Sequence, residues 1–194
     1  MEEEYVIPFH PKSKKYKAFT MLDGLGIDEI VPKCPKDMES NDWIVSNLVY
    51  LWIRTLDMRD ALKEGCTSST CKTMMVSGRY RYMWSRSPKE EARDLDAPAY
   101  TGKALEWVEA NFQDHEIFHD QEKMPYVEEF GEIASLILST LLTVLGHYWT
   151  FHKDSLKRSS LDGEMGSLLR YVRRFSSYWS LGEAGMFDPL PGPY

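Results

Sequence analysis

The sequence predicts an all-α fold: a bundle of four main helices with one short strand pair. Three observations lead to it. Four segments repeat apolar residues at helical spacing, near 41–62, 97–112, 127–153 and 164–179. One stretch, "SGRYRYMW", alternates as a strand does after the turn residue Gly78. The chain of 194 residues, 43% hydrophobic and 13% aromatic, suits one domain with a substantial core and shows no internal repeat.

Residues 1 to about 40 read as irregular, with scattered prolines, a cluster of Lys12, Lys14, Lys15 and Lys17, and "LDGLG" at 22–26; residues 1–34 are expected to form an N-terminal arm. The first helix starts near Asn41, capped by Ser40 or Asn41, and carries Trp43, Ile44, Leu48, Leu51, Trp52 and Leu62 inward until Gly65 stops it. In the strand, Tyr80, Tyr82 and Trp84 share one face and Arg79, Arg81 and Met83 the other. In "DAPAYTGKALEWVEANF", Asp96 caps a helix with Pro98 in its first turn, and Tyr100, Ala104, Trp107, Val108 and Phe112 form the apolar face.

A polar linker containing Pro125 leads to the third helix, whose stretch Ile133 to Phe151 holds 19 residues without Asp, Glu, Lys or Arg. Its flanks lack basic anchors, so it reads as the centre of a bundle and not as a membrane span. The last helix points Leu168, Leu169, Val172, Phe175 and Trp179 inward and groups Arg170, Arg173 and Arg174 on its exposed side, a solvated face or an anion site. The domain is expected over 35–190, with a short tail at 191–194.

The net charge of −7 argues against nucleic acid as the main partner. The charge is polarised: Pro88 to Glu132 carries 13 acidic and 4 basic residues, and Lys153 to Arg174 carries 6 basic and 3 acidic. "MEEEYVIPFHPKSKK" has no apolar signal core, so with three cysteines a reduced, cytoplasmic protein is expected.

Cys66 and Cys71, in "CTSSTC", could close a small disulfide loop, supply half of a metal site, or do neither. A reducing compartment weighs against the disulfide. A closed tetrahedral site needs two more ligands, and two histidine pairs offer them. His115 and His119, at i and i+4, face the same way but sit among Asp114, Glu116, Asp120 and Glu122 in a segment that looks solvated. His147 and His152, at i and i+5, would diverge on an ideal helix, so the helix bends or ends there if they act together. The plainer alternatives are a surface helix end for the first pair and a core histidine bonded to backbone for the second. On spacing alone His115 and His119 are the better local pair; with their acidic surroundings weighed, the two pairs are nearly tied.

Four pieces in register, "CTSSTCKTMM" with "GRYRYMW", "APAYTGKALEWVE", "GHYWTFH" and the upstream "NDWIVSN", resemble the Mob family, the Mps-one-binder kinase activators also called Mob/phocein, over roughly residues 35–190. "RYRYMW" and "APAY" resemble the kinase-activating branches more than the phocein branch. The resemblance implies an all-α fold with a four-helix-bundle core, a β-hairpin and one structural zinc (Zn2+) per chain, held by Cys66, Cys71, His147 and His152. It also implies a non-catalytic adaptor that binds and activates protein kinases of the NDR/LATS group in cell-cycle, cytokinesis or morphogenesis signalling, in the cytoplasm and in part the nucleus.

In that family an acidic and aromatic surface on the first core helix meets a basic N-terminal segment of the kinase; the matching positions are Glu39, Asp42, Trp43 and Tyr50. Tyr50 replaces an aspartate, and Asp42 and Trp43 can equally be a first-turn carboxylate and a core residue. Hippo-type members also bind a phosphothreonine peptide of an upstream kinase through Lys and Arg. Here Ser139, Thr140 and Thr143 stand at those positions, and hydroxyls lack the charge that grips phosphate, so docking there is expected to be weak. Three alternatives remain at this stage. A phocein-like scaffold subunit of a striatin/phosphatase assembly is the nearest. A zinc metallohydrolase would need an open metal position and a general base, and a nucleic-acid module a compact ligand set with a basic face.

Overall fold

In the computed structural model, which describes residues 7–85, 89–119, 124–182, 185–190 and 192, two long helices pack together and the remaining elements surround them. In chain order the elements are α1 (Lys14–Asp23), α2 (Ser40–Leu62), β1 (Met75–Val76), β2 (Tyr80–Arg81), α3 (Ala97–Phe112), α4 (Phe130–Phe151), α5 (Lys153–Arg158) and α6 (Asp162–Trp179). Helix α4 touches α2, α3, α5, α6 and β1. Ala134, Ile137, Leu138, Leu141, Val144 and Leu145 form one continuous buried stripe, and Leu142, Gly146 and His147 extend the burial around the C-terminal half of the helix, in keeping with its uncharged run. Among the described residues it is the one helix long and apolar enough to cross a membrane, and much of it lies in the protein core.

Local chemistry sets the boundaries. Asp96 accepts the Ala99 N–H at 2.8 Å and caps α3, with Pro98 in the first turn. β1 and β2 pair antiparallel, Met75 opposite Arg81 and Val76 opposite Tyr80. The connection uses two left-handed residues, Ser77 (φ 53°) and Gly78 (φ 70°), and only the glycine adopts that region without a Cβ penalty. Beyond β2, Trp84 forms a separate antiparallel bridge with Arg93, the two exchanging backbone hydrogen bonds of 2.7 Å. Rings from Trp52, Phe112, Phe118 and Phe130 meet edge-on at centroid distances of 5.5–5.8 Å and join α2, α3 and α4.

Three expectations need correction. The segment read as an irregular arm contains α1, capped by Ser13 through the Tyr16 N–H and packed on α2 by Ala18, Phe19 and Leu22. Its lysines hide the periodicity, because Lys15 lies on the buried side with them. Helix α2 begins at Ser40 with Glu39 as its cap residue, and no side chain satisfies that end. The third helix stops at Phe151, and 153–158 form the separate α5, because His152 leaves helical conformation (φ −121°, ψ 24°). The linker after α1 is also fixed: the indole N–H groups of Trp43 and Trp179 both donate to the Pro32 carbonyl at 2.8 Å. Residues 1–6 of the expected arm and, except Gly192, the tail at 191–194 lie outside the described residues.

Because Leu22 is fully buried, Leu22→Ala is expected to cost about 3 kcal/mol and lower Tm by roughly 6–12 °C in a calorimetric scan. A shift under about 2 °C would mean that α1 is a detached arm.

Candidate metal centre

The loop after α2 and the end of α4 meet at one cluster of four donor atoms, Cys66 Sγ, Cys71 Sγ, His147 Nε2 and His152 Nε2, all within 4.8 Å of one another. Cys66 follows α2 directly, its N–H bonded to the Leu62 carbonyl at 2.9 Å. The turn between the cysteines closes through the Cys71 N–H on the Thr67 carbonyl (2.8 Å), and the Thr70 hydroxyl donates to the Gly65 carbonyl (2.8 Å). Cys71 is tied to the next element because its carbonyl accepts the Ala97 N–H of α3 at 2.9 Å. The change of direction at His152 lets imidazoles at i and i+5 converge, with Nε2 atoms 3.4 Å apart.

Each sulfur faces one ring: Cys66 Sγ lies 3.5 Å from His147 Nε2, and Cys71 Sγ 3.4 Å from His152 Nε2. Three of the six donor–donor distances are 3.4–3.5 Å, and all lie within 4.8 Å, as a compact four-donor site requires. The His147 Nδ1–H donates to the Met75 carbonyl of β1 at 2.9 Å, which fixes the ring and presents Nε2 to the centre. Burial pushes the His147 pKa down to about 4, aided by neighbouring His152, and burial also lowers that of His152. Both rings are therefore neutral at pH 7 and have lone pairs to give. Burial, then the adjacent Cys71, pushes the Cys66 thiol up to about 12, so a cation must compensate the thiolate. The four residues could hold a metal ion.

The second histidine pair takes no part. His119 is buried with its ring 4.5 Å from that of Tyr126, and His115 is exposed. Asp120 and Glu122 beside them lie outside the described residues. The cysteines Cys34, Cys66 and Cys71 are all free.

The residues matched to partner surfaces are placed differently from one another. Glu39 is exposed. Asp42 is engaged within the chain: Tyr126 OH donates to it at 2.6 Å and the Lys15 ammonium lies 3.3 Å away, leaving its side chain 13% exposed. Trp43 is core at 1% exposure, and Tyr50, 4% exposed, lies under the Arg54 guanidinium at 5.5 Å. Ser139, Thr140 and Thr143 are half-buried; Ser139 Oγ lies 3.6 Å from Met186 Sδ, and the Thr143 hydroxyl donates to the Ser139 carbonyl at 3.0 Å. The three arginines of α6 are spoken for locally: Arg170 by Asp28 (3.4 Å), Arg173 by the Phe187 ring (4.9 Å) and Arg174 by the Ile30 carbonyl (3.5 Å).

Two contributors escape sequence reasoning. The Met75 carbonyl is backbone and leaves no trace in residue type. Lys15 is buried and also donates to the His119 carbonyl; its signal is its i, i+3, i+4, i+7 spacing with Ala18, Phe19 and Leu22.

Residues 20–190 match the family model described as Mob1/phocein family. The chain is 24% identical over 189 residues to MOB kinase activator 3C of Mus musculus, covering 94% of this chain and 87% of that protein. It is 23% identical over 188 residues to MOB kinase activator 3A of Bos taurus, with 94% and 86% covered. Against MOB kinase activator-like 1A of Medicago sativa subsp. falcata it is 24% identical over 159 residues, with 81% and 74% covered.

Cys71→Ser and His152→Ala are each expected to lose bound metal and much of the soluble protein, and His115→Ala to keep both, as read by metal content after gel filtration. Loss of metal in His115→Ala with retention in His147→Ala would place the centre elsewhere.

Proposed function

The chain belongs to the Mob1/phocein family, and we propose that it is a non-catalytic, zinc-binding adaptor that binds and co-activates a protein kinase of the NDR/LATS type. The observation that carries this reading is the closed donor set joined to a family match that spans the domain. A tetrahedral zinc with nitrogens at about 2.05 Å and sulfurs at about 2.3 Å needs ligand–ligand edges of roughly 3.3–3.8 Å, shortest between the nitrogens and longest between the sulfurs. Three of the edges at hand are 3.4–3.5 Å. Two thiolates and two imidazoles complete the coordination, as in structural zinc sites, whereas a hydrolase would keep one position open for water. The zinc supplies a fixed positive centre. The chain's own residues hold the α2–β1 loop against the end of α4 around it.

Kinase partnership rests on the relatives, which are named MOB kinase activators. On α2, Lys15 already sits on Asp42, and Trp43 and Tyr50 are buried, so Glu39 is the matched residue open to a basic kinase segment. The occupied Asp42 and the missing aspartate at Tyr50 favour a second reading, a phocein-like scaffold in a striatin/phosphatase assembly. Ser139, Thr140 and Thr143 bring no charge to a phosphate, so recognition of a phosphorylated upstream kinase is weak in this account.

A pull-down separates the two readings. Binding to an NDR/LATS-type N-terminal segment with stimulation of that kinase is expected; capture of a striatin-like scaffold with no kinase segment bound would select the second. In titration calorimetry a phosphothreonine peptide is expected to bind more weakly than about 100 μM, which corresponds to less than ~5.5 kcal/mol.

A further inference from the structure

Between the first turn of α2, the first turns of α4 and the C-terminal end of α6 lies an open groove of about 760 Å³. Its floor is apolar: Ile44, Phe130 and Leu181 are buried there. Leu136 stands on its wall with 52% exposure, although the helix that carries it is otherwise a core element. A large aliphatic side chain held open inside a concavity of this size is a ready contact for one or two bulky side chains.

The side-chain charge around it has one sign. Among the described lining residues there is no Lys or Arg, and Glu128 and Glu132 are both exposed on it. The end of α6, at Trp179 and Ser180, adds the partial negative charge of a helix C-terminus. The N-terminal ends of α2 and α4 bring partial positive charge; Glu132 opposes it on α4, whereas Asp42 of α2 is already paired with Lys15, so the net negative side-chain charge comes from Glu128 and Glu132. The polar groups on the wall are hydroxyls: Ser135 accepts the Gly182 N–H at 3.0 Å, and Ser139 lies toward Met186. Nothing in that set would hold a phosphate, whereas a cation beside an apolar side chain finds both its complements.

We propose that this groove receives a basic, unphosphorylated peptide segment of a partner protein, anchored by one bulky apolar residue against Leu136. Asn41 and Ile44 of α2 and Ser139 of α4 also line the groove, but Glu39, Asp42, Trp43 and Tyr50 do not, so variants at Glu128, Glu132 and Leu136 test it without touching the residues matched to kinase binding. The cationic residues would speed encounter and fix orientation, and the buried anchor would supply most of the affinity.

Fluorescence anisotropy on the full chain tests it, with a fluorescein-labelled 15-residue Lys/Arg-rich helical peptide carrying a single Leu anchor. The double variant E128K/E132K is expected to weaken binding at least tenfold. E90K/E91K, the same charge change on exposed carboxylates near Trp84, should alter it less than twofold. Leu136→Ser, on an exposed helix position with unchanged circular dichroism, should weaken it at least fivefold, and the effect should vanish when the peptide anchor is Ala. Equal losses from the two charge pairs, an unaffected Leu136→Ser, or tighter binding of a phosphorylated acidic peptide would overturn the proposal. Concentration-dependent self-association that Leu136→Ser abolishes would also overturn it, by assigning the groove to a second copy.

Discussion

Four donor side chains from two segments, with 75 residues between Cys71 and His147, converge on one point, and the arrangement of the chain follows from holding them there. Buried imidazoles and thiols without a compensating partner are costly, since each has lost water and most have no protein group to replace it. Here the compensation is mutual geometry: sulfurs and ring nitrogens at 3.4–3.5 Å around a common centre. The second layer is backbone. The Met75 carbonyl orients His147, and the Ala97 N–H holds the Cys71 carbonyl, so β1 and the start of α3 are both registered to the centre.

From that point the fold spreads along α4. From Ile133 on the helix carries no charge to keep solvated, and α2, α3 and α6 pack on it. At Gly146 the packing is closest: a Cβ there would come within 2.7 Å of Leu190 and 3.2 Å of Val76, so the glycine admits both the C-terminal segment and the hairpin. The N-terminal segment is integrated by polar contacts of another kind. Lys15 pairs with Asp42, and the Pro32 carbonyl receives two indole donors. These contacts engage Asp42 and Trp43 within the chain and leave Glu39 exposed at the start of α2.

Periodic features are legible in the sequence. The cap at Asp96, the turn at Gly78 and the uncharged run of α4 all follow from residue type and spacing. The choice of His147 and His152 over His115 and His119 does not; spacing alone favours the i, i+4 pair, and only a family resemblance points to His147 and His152. Helix α1 is hidden because four lysines in six positions read as solvated, although one of them is neutralised inside the protein. Tertiary juxtapositions are the least legible. No local pattern reveals that Ile44, Leu136 and Leu181 line one groove, since they come from three different parts of the chain.

The central claim is that the converging donors form a complete zinc site. X-ray absorption at the zinc edge on the purified chain, with metal content measured on the same sample, tests it most directly. The account predicts about one zinc per chain with two sulfurs at about 2.3 Å and two nitrogens at about 2.05 Å, and no oxygen ligand. A metal-free, fully folded protein, or a zinc bound through oxygen with fewer than two sulfurs, would contradict it.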